Sequence, residues 1–139
     1  MIILDTNIIS ELMRPSPSPK VITWIDEQHT STLFITSITV AEIRYGLNVL
    51  PKGQRRGSLE DAFERTIQTG FFHRVLDFDL SAANVYGPLM ASRRSRGQPL
   101  SISDGQIASI ALVFGSKLAT RNLRDFEDSG IELIDPFTT

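Results

Sequence analysis

The stretch IILDTN, residues 2–7, places three large apolar residues directly before an aspartate. A short, continuous apolar run is typical of a strand buried on both faces of a parallel sheet. Asp5, at the end of this strand, has two interpretations. It can be the N-cap of a helix that begins near Thr6, or it can be a metal ligand. Asp5 alone does not distinguish the two, whereas further acidic residues at the same edge of the sheet would.

Four further apolar runs predict strands, and helical patterns lie between them. The predicted strands are residues 33–35, 74–78, 117–120 and 131–134, and the predicted helices are residues 19–28, 39–50, 58–69, 80–96 and 103–114. This alternation indicates an α/β fold with a mainly parallel, about five-stranded sheet and helices on both faces. Right-handed crossovers bring the carboxyl ends of parallel strands to one edge, where such sheets bind ligands. No linker divides the sequence, so we expect residues 1–139 to form one domain.

The composition excludes several classes of protein. The 139 residues carry a net charge of −2 and include no cysteine, which excludes disulfides, thiolate metal sites and a general positive field for nucleic acid. No apolar run approaches the ~20 residues that a membrane-spanning helix needs. No signal peptide is recognisable, and a cytoplasmic protein is expected.

Acidic residues recur at the predicted edge. Asp5 follows the first strand, Glu42 is expected in the first turn of the helix after the second, and Asp104 lies near the start of a later helix. Each has a capping interpretation, because Thr39 and Glu42 match the spacing of a capping box and Ser101 and Asp104 match a looser version of it. Three carboxylates brought together repel one another unless a cation joins them. Oxygen ligands of this kind favour Mg²⁺ or Mn²⁺.

The chemistry expected of such a site is metal-assisted hydrolysis of a phosphodiester. Other chemistries fit the sequence poorly. His29 and His73 do not form an H-x-x-x-H pair, and the sequence contains neither a phosphate-binding glycine loop nor a G-x-S-x-G nucleophile motif.

Four ordered segments resemble a known family. ILDTNIISELMR (3–14), SITVAEIRYGL (37–47), ISDGQIASIA (102–111) and LATRNLRDF (118–126) are similar to the motifs of PIN-domain ribonucleases. Their order and spacing resemble the VapC toxins of type II toxin–antitoxin systems, especially the FitB-like branch. The resemblance implies a PIN-like three-layer α/β/α sandwich and a Mg²⁺-dependent endoribonuclease, with Mn²⁺ as a substitute. It also implies neutralisation by a VapB-like antitoxin.

The resemblance further assigns roles to individual residues. Asp5, Glu42 and Asp104 correspond to the acidic ligands, with the tightest ion expected between Asp5 and Asp104. Asn122 stands at a fourth position where many members have aspartate, and a neutral amide is a weak metal ligand there. The residues expected to shape the site are Thr6, Asn7 and Asp125.

The resemblance also implies partners. Proteins of this type form homodimers, bind the carboxyl-terminal segment of the antitoxin in a groove and build a higher assembly with the antitoxin. An antitoxin arginine often reaches the acidic site, and DNA is contacted only through the antitoxin.

Two basic clusters are candidates for binding the RNA backbone. Basic residues at helix ends also simply complement the helix dipole, and the sequence leaves both interpretations open. Charge reversal of Arg93 and Arg94 is expected to weaken RNA binding if the cluster binds RNA. The two clusters are Lys52, Arg55 and Arg56, and Arg93, Arg94 and Arg96.

Two alternatives compete with a nuclease. A receiver domain also binds Mg²⁺ at the edge of a parallel sheet, but it needs paired acids after its first strand, and here Asp5 stands alone. A non-catalytic protein-binding domain of the same fold would explain the basic clusters but not the three acids.

Overall fold

A computed structural model describes residues 1–138, and a parallel sheet forms its centre. The strand order is β3-β2-β1-β4-β5, and every neighbouring pair is parallel. The strands are β1 (Ile2–Leu4), β2 (Leu33–Thr36), β3 (Val75–Leu76), β4 (Lys117–Ala119) and β5 (Leu133–Ile134). The predicted α/β architecture is therefore confirmed.

Helices cover both faces of the sheet. The α-helices among the described residues are α1 (Thr6–Leu12), α2 (Pro19–Asp26), α3 (Ser37–Asn48), α4 (Gln54–Arg65), α5 (Leu80–Ser95), α6 (Ile102–Phe114) and α7 (Leu123–Phe126). A 3₁₀ turn at Thr30–Thr32 precedes β2, and a π-helical turn at Thr66–Gly70 follows α4. No helix within residues 1–138 combines the length and the apolar character that crossing a membrane requires.

The first strand divides the hydrophobic core into two layers. Ile2 and Leu4 pack into a core built with residues of α1 to α4, whereas Ile3 packs into a second core with α5 and α6. Successive side chains of a strand point to opposite faces, so a fully apolar strand is required where both faces are covered. The burial of β1 on both sides fixes the position of the residue that follows it.

The strand order reverses beside β1. The chain proceeds from β1 to β2 and β3 on one side, and β4 then pairs with the other side of β1. Ligands of open parallel sheets bind at such a reversal, outside the carboxyl ends of the strands. Asp5 lies there, and its backbone N–H donates to the carbonyl of Ala119 at 2.9 Å. The residues after β1 and β4 are thereby brought side by side.

Some predicted boundaries differ from the structure. β3 and β5 are two residues long, although apolar runs predicted strands over 74–78 and 131–134. Both strands lie at an edge of the sheet and pair with one neighbour only. The paired segment is therefore shorter than the apolar run that contains it. α7 was not predicted, because its four residues are too few to display a helical period.

A close approach of α5 and α6 positions the start of α6. A Cβ atom at Gly105 would collide with Sδ of Met90 and lie 3.1 Å from Cε2 of Tyr86. The absence of a side chain at Gly105 therefore lets α6 lie against α5, and this packing sets the position of the adjacent Asp104.

Candidate metal centre

The Asp5 side chain is buried and held by three donors. The backbone N–H of Thr6 donates to Oδ1 at 2.8 Å, and the Thr120 hydroxyl and the Asn7 amide donate to Oδ2 at 2.7 and 3.3 Å. Asp5 is the N-cap of α1, as one interpretation of the sequence predicted. Its side chain is only 3% exposed. Oδ1 accepts a single hydrogen bond and keeps a lone pair for a cation, so capping and ligation are compatible.

The environment of Asp5 opposes its ionisation. Burial is the largest influence and, despite the hydrogen bonds from Thr120 and Thr6, raises the pKa of this carboxyl from 3.8 to about 6. The negative charges of Asp104 and Glu42 contribute in the same direction. A buried carboxylate beside two others gains most from a bound cation, which would offset both the desolvation and the repulsion.

Glu42 is linked to Asp5 through Thr6. The Thr6 hydroxyl donates to Oε1 of Glu42 at 2.7 Å and lies 2.9 Å from the Thr39 hydroxyl. The N-cap of α3 is Thr36, whose hydroxyl accepts from the Thr39 N–H at 3.2 Å. The predicted capping box between Thr39 and Glu42 is therefore wrong, and Glu42 lies in the second turn of α3 rather than the first. Its exposed carboxylate is free of any capping role.

Asp104 is half-buried at the start of α6. The Ser101 hydroxyl accepts from the Asp104 N–H at 3.2 Å, which confirms the predicted cap. Desolvation is the main influence that raises the pKa of Asp104, opposed by hydrogen bonding with Ser101, while the charges of Asp125 and Glu42 raise it further. Asp104 lines the same cavity as Asp5 and Glu42.

The predicted acids line one open cavity of about 450 Å³. Within residues 1–138, no three acidic, histidine or cysteine side chains lie close enough together to hold a metal ion unaided. This differs from the expected convergence of three carboxylates within a few ångströms, because Glu42 is exposed at the rim while Asp5 is buried. Mg²⁺ usually takes one or two carboxylates and keeps several waters, so the donor set still suits it. The predicted residues on this cavity are Asp5, Thr6, Asn7, Glu42, Asp104 and Asn122.

The remaining predicted positions lie just beyond β4. Asn122 has an exposed side chain on the cavity, and its backbone N–H donates to the Thr120 hydroxyl at 3.0 Å. Asp125 does not line the cavity but is close enough for its charge to raise the pKa of Asp104. The Thr120 hydroxyl thus ties the end of β4 to the Asp5 carboxylate.

Sequence reasoning missed a buried acid on the same cavity. Glu11 is 6% exposed and accepts from the Ser18 N–H at 2.8 Å and from Nη1 of Arg14 at 3.2 Å. The hydrogen bond from Ser18 is the main influence that lowers the pKa of Glu11. The sequence does carry a signal for the pair of Glu11 and Arg14. They lie three residues apart, and Glu11 follows Asn7 by four, so all three share one face of a helix.

The basic clusters are only partly available to a ligand. Arg93 is 3% exposed and donates to the carbonyls of Gln98 at 2.9 Å, Asp125 at 2.8 Å and Glu127. The expectation that Arg93 captures RNA is therefore wrong, because its donors are used inside the protein. Arg56 is similarly engaged with Glu60, Asn48 and the Leu50 carbonyl. The exposed members are Lys52, Arg55, Arg94 and Arg96.

Replacing Arg93 with methionine is expected to lower the free energy of unfolding by about 2–4 kcal/mol, since three carbonyls lose a charged donor. Urea denaturation measures this difference. Arg94→Ala, one residue along and exposed, is the control and should change stability by no more than about 0.5 kcal/mol. Equal effects of the two substitutions would contradict the structural role of Arg93.

Comparison with known proteins agrees with this geometry. The family model for the PIN domain matches residues 2–130. The VapC ribonuclease Y4jK of Sinorhizobium fredii is 42% identical over 137 residues, which are 99% of this chain and 98% of that protein. Toxin FitB of Neisseria gonorrhoeae is 33% identical, with 99% of both chains covered.

A solved structure of a FitB-containing complex has the same fold. FitAB bound to the IR36 DNA fragment contains a chain that matches with a TM-score of 0.92 and 33% identity, over 99% of this chain and 96% of that one. The receiver-domain alternative is therefore wrong. The family match, the relatives and the acid-lined cavity at the reversal of strand order lead to one assignment: this chain belongs to the PIN-domain family and, within it, to the VapC- and FitB-like toxins.

Proposed function

We propose that this chain is a Mg²⁺-dependent endoribonuclease, with Mn²⁺ as a substitute, and the toxin of a toxin–antitoxin pair. One observation carries the proposal. The buried Asp5 carboxylate, with a pKa raised to about 6, opens onto a cavity that it shares with Asp104 and Glu42. A purely structural cap would not need to be buried and to share an open cavity with two further carboxylates. For the same reason, the non-catalytic protein-binding alternative leaves this arrangement unexplained.

Asp5 and Asp104 are the proposed direct metal ligands, with Glu42 bound directly or through a water. When bound, Mg²⁺ would lower the pKa of a coordinated water and offset negative charge on the phosphodiester oxygens. All the available ligands are oxygens, which favour Mg²⁺ and Mn²⁺ over softer ions. The hydrogen bonds to Asp5 from Thr6, Thr120 and Asn7 hold its free lone pair in a fixed direction.

Hydrolysis also needs a proton acceptor and an orienting group. Glu42 is exposed to the cavity, and its hydrogen bond from Thr6 holds one carboxylate oxygen. We assign Glu42 the role of orienting the attacking water or accepting its proton while the water oxygen forms a bond to phosphorus. The bond from phosphorus to the leaving ribose oxygen breaks, and that oxygen takes a proton from solvent. Asn122 cannot ionise, so its amide serves as a hydrogen-bond donor to a water or a phosphate oxygen. Asp125 acts on the site only through its charge and its position beside Asp104.

Cleavage of total cellular RNA by the purified chain, freed of any antitoxin, tests this proposal. Cleavage is expected with Mg²⁺ or Mn²⁺ and should stop in EDTA. Calorimetric titration of the metal into the chain, without RNA, provides an independent readout. Cleavage that continues in EDTA, or a chain that neither binds metal nor cleaves RNA, would contradict the proposal.

An apolar groove of about 630 Å³ adjoins the acidic cavity and is our proposed antitoxin site. Helices α1, α3 and α4 form its walls, and Thr6, Arg14 and Glu42 line both the groove and the cavity. A peptide helix or strand in the groove would lead directly to the carboxylates, where a basic antitoxin residue would be favoured. The apolar lining residues include Met13, Ile43, Leu47, Leu50 and Leu59.

The remaining proposals concern assembly and location. We propose that residues 1–139 act as one PIN domain in a homodimer, and that DNA is contacted only through the antitoxin. The exposed basic residues Lys52, Arg55, Arg94 and Arg96 are candidates for weak contacts with the RNA backbone. The cytoplasm is the expected location.

Filling the groove is expected to weaken antitoxin binding by about tenfold to a hundredfold, since overpacking costs about 1–3 kcal/mol. Gly46 lines the groove, and a Cβ there would meet no atom within 4 Å, so Gly46→Leu should fold normally. Gly57→Leu is the matched control, because Gly57 is also helical and open but lies off the groove. Affinity for the cognate antitoxin peptide is measured by calorimetry. Unchanged affinity in Gly46→Leu would move the antitoxin site elsewhere.

A further inference from the structure

Arg121 is joined to the candidate metal centre through the backbone. It follows Thr120, whose hydroxyl donates to Asp5. The Arg121 N–H donates to Oδ1 of Asn7 at 3.2 Å, and the amide of Asn7 donates in turn to Asp5 at 3.3 Å. The position of Arg121 on the cavity is therefore fixed by the same residues that orient the Asp5 carboxylate.

The Arg121 guanidinium stacks on an aromatic ring with one face, and its N–H groups remain free among the described residues. The Arg121 Cζ atom lies 4.4 Å from the centroid of the Phe137 ring. Phe137 is itself held in a turn, because its N–H donates to Oδ1 of Asp135 at 2.9 Å. Within residues 1–138, the Arg121 side chain forms no ion pair and donates no hydrogen bond to a protein acceptor. A stacked guanidinium with free N–H groups is preorganised to bind a planar or tetrahedral anion in bidentate fashion.

The other arginine on the cavity is differently engaged. Arg14 donates to Glu11 at 3.2 Å, so much of its charge is already matched by a buried carboxylate. Arg121 also contributes, through its charge, to lowering the pKa of Glu11, but within the described part of the chain it forms no ion pair with that or any other carboxylate. One divalent cation would offset only two of the three charges of Asp5, Glu42 and Asp104, so a phosphate that approaches the cavity gains from a fixed positive charge nearby.

We propose that Arg121, supported by Phe137, binds a phosphate of the RNA beside the phosphodiester that is cleaved. This inference rests on the proposed ribonuclease function and names the residue that holds the substrate backbone at that site. Binding one flanking phosphate would fix the register of the strand, so that the next phosphodiester lies over the carboxylates. Neither basic cluster identified from the sequence provides this contact.

The test compares Arg121→Ala, Arg121→Lys and Phe137→Ala with wild type, and Arg124→Ala is the control. Arg124 is an exposed arginine three residues along that does not line the cavity. Binding of a fluorescent single-stranded RNA is followed by anisotropy in EDTA across a range of salt concentrations. Cleavage of the same RNA with Mg²⁺ then separates KM from kcat, and circular dichroism melting checks that each variant is folded.

Arg121→Ala is expected to weaken RNA binding about tenfold to a hundredfold, to raise KM more than it lowers kcat, and to make the salt slope shallower by about 0.7. Arg121→Lys keeps the charge without the bidentate geometry and should recover the salt slope but only part of the affinity. Phe137→Ala should cost about twofold to fivefold, as expected for loss of a stacked ring at an exposed site.

Affinity and salt slope in Arg121→Ala equal to those of Arg124→Ala would overturn the inference. A loss confined to antitoxin affinity would also overturn it, because the guanidinium would then recognise an antitoxin carboxylate. If wild type cleaves RNA while Arg121→Ala behaves like the control, the inference alone fails. If wild type cleaves no RNA, the proposed function fails and the inference falls with it.

Discussion

Asp5→Asn and Asp104→Asn are each expected to lower RNA cleavage by about a thousandfold or more. Removing a residue that merely supports a metal ligand typically costs ~10–100-fold, and loss of a direct charged ligand should exceed that. Asparagine keeps the size of the side chain, and its oxygen can still accept from the Thr6 N–H that caps α1. Its NH2 group cannot accept from the Thr120 hydroxyl and the Asn7 amide as Oδ2 does, so circular dichroism melting has to show that the variant is folded before its loss of activity is assigned to the lost charge. Initial rates of cleavage with Mn²⁺ measure the effect.

Asp128→Asn is the matched control for both substitutions. Asp128 is exposed and has a positive φ of 59°, a conformation that asparagine adopts as readily as aspartate. This control removes one carboxylate without touching the cavity, so cleavage should stay within about twofold of wild type. Calorimetry should also detect metal binding in Asp128→Asn and not in Asp5→Asn. Folded Asp5→Asn and Asp104→Asn proteins that cleave as fast as the control would refute the assignment of these ligands.

The location of the site at one edge of the sheet could be predicted from the sequence, because it follows from the order of strands and helices. Alternating strands and helices fix where parallel strands end, and this alternation alone predicts Asp5, Glu42 and Asp104 at one edge of the sheet. Local capping was less predictable. Ser101 caps α6 as its spacing indicated, whereas Thr36, which ends β2, displaces Thr39 as the cap of α3. The capping-box spacing with Glu42 favoured Thr39, and only the position at which β2 ends decides for Thr36.

Contacts between distant segments could not be predicted from one sequence. The Thr120 hydroxyl binds Asp5 across 115 residues, and the stacking of Arg121 on Phe137 depends on the turn after β5. The cluster RRSRG indicated an exposed basic surface, yet Arg93 turns inward to carbonyls at the carboxyl end of α7. Local composition specifies charge but not which side chain is buried, because burial depends on elements that are far away in sequence.

The second large effect is a fall in the stability of the metal-free protein as pH rises. The folded pKa of Asp5, about 6, lies above its ordinary value of 3.8. Below pH ~4 the carboxyl is protonated in both the folded and the unfolded chain. Between pH ~4 and ~6 the folded chain retains a proton that the unfolded chain has released, so the free energy of unfolding decreases with pH. A shift of about two units corresponds to a loss of about 3 kcal/mol by pH 7.

Comparison with Asp5→Asn isolates this contribution. Both proteins contain the same other titratable groups, including Asp104, whose raised pKa acts in the same direction. The difference in unfolding free energy between wild type and Asp5→Asn should therefore shift by about 2.4 kcal/mol in favour of the variant between pH 4 and pH 7. Urea denaturation in EDTA at several pH values measures it. Parallel pH profiles for the two proteins would mean that burial does not destabilise the Asp5 carboxylate.

Addition of Mg²⁺ at pH 7 completes this test. A ligand that binds only the folded state raises its stability by about 2.7 kcal/mol at a hundred times its Kd. Wild type should regain this much, whereas Asp5→Asn should respond little, because its proposed inner ligand has lost its charge. The stability lost at neutral pH is then the free energy needed to ionise a buried carboxylate, and a bound cation would offset it. Equal stabilisation of the two proteins by Mg²⁺ would show that the ion binds away from Asp5.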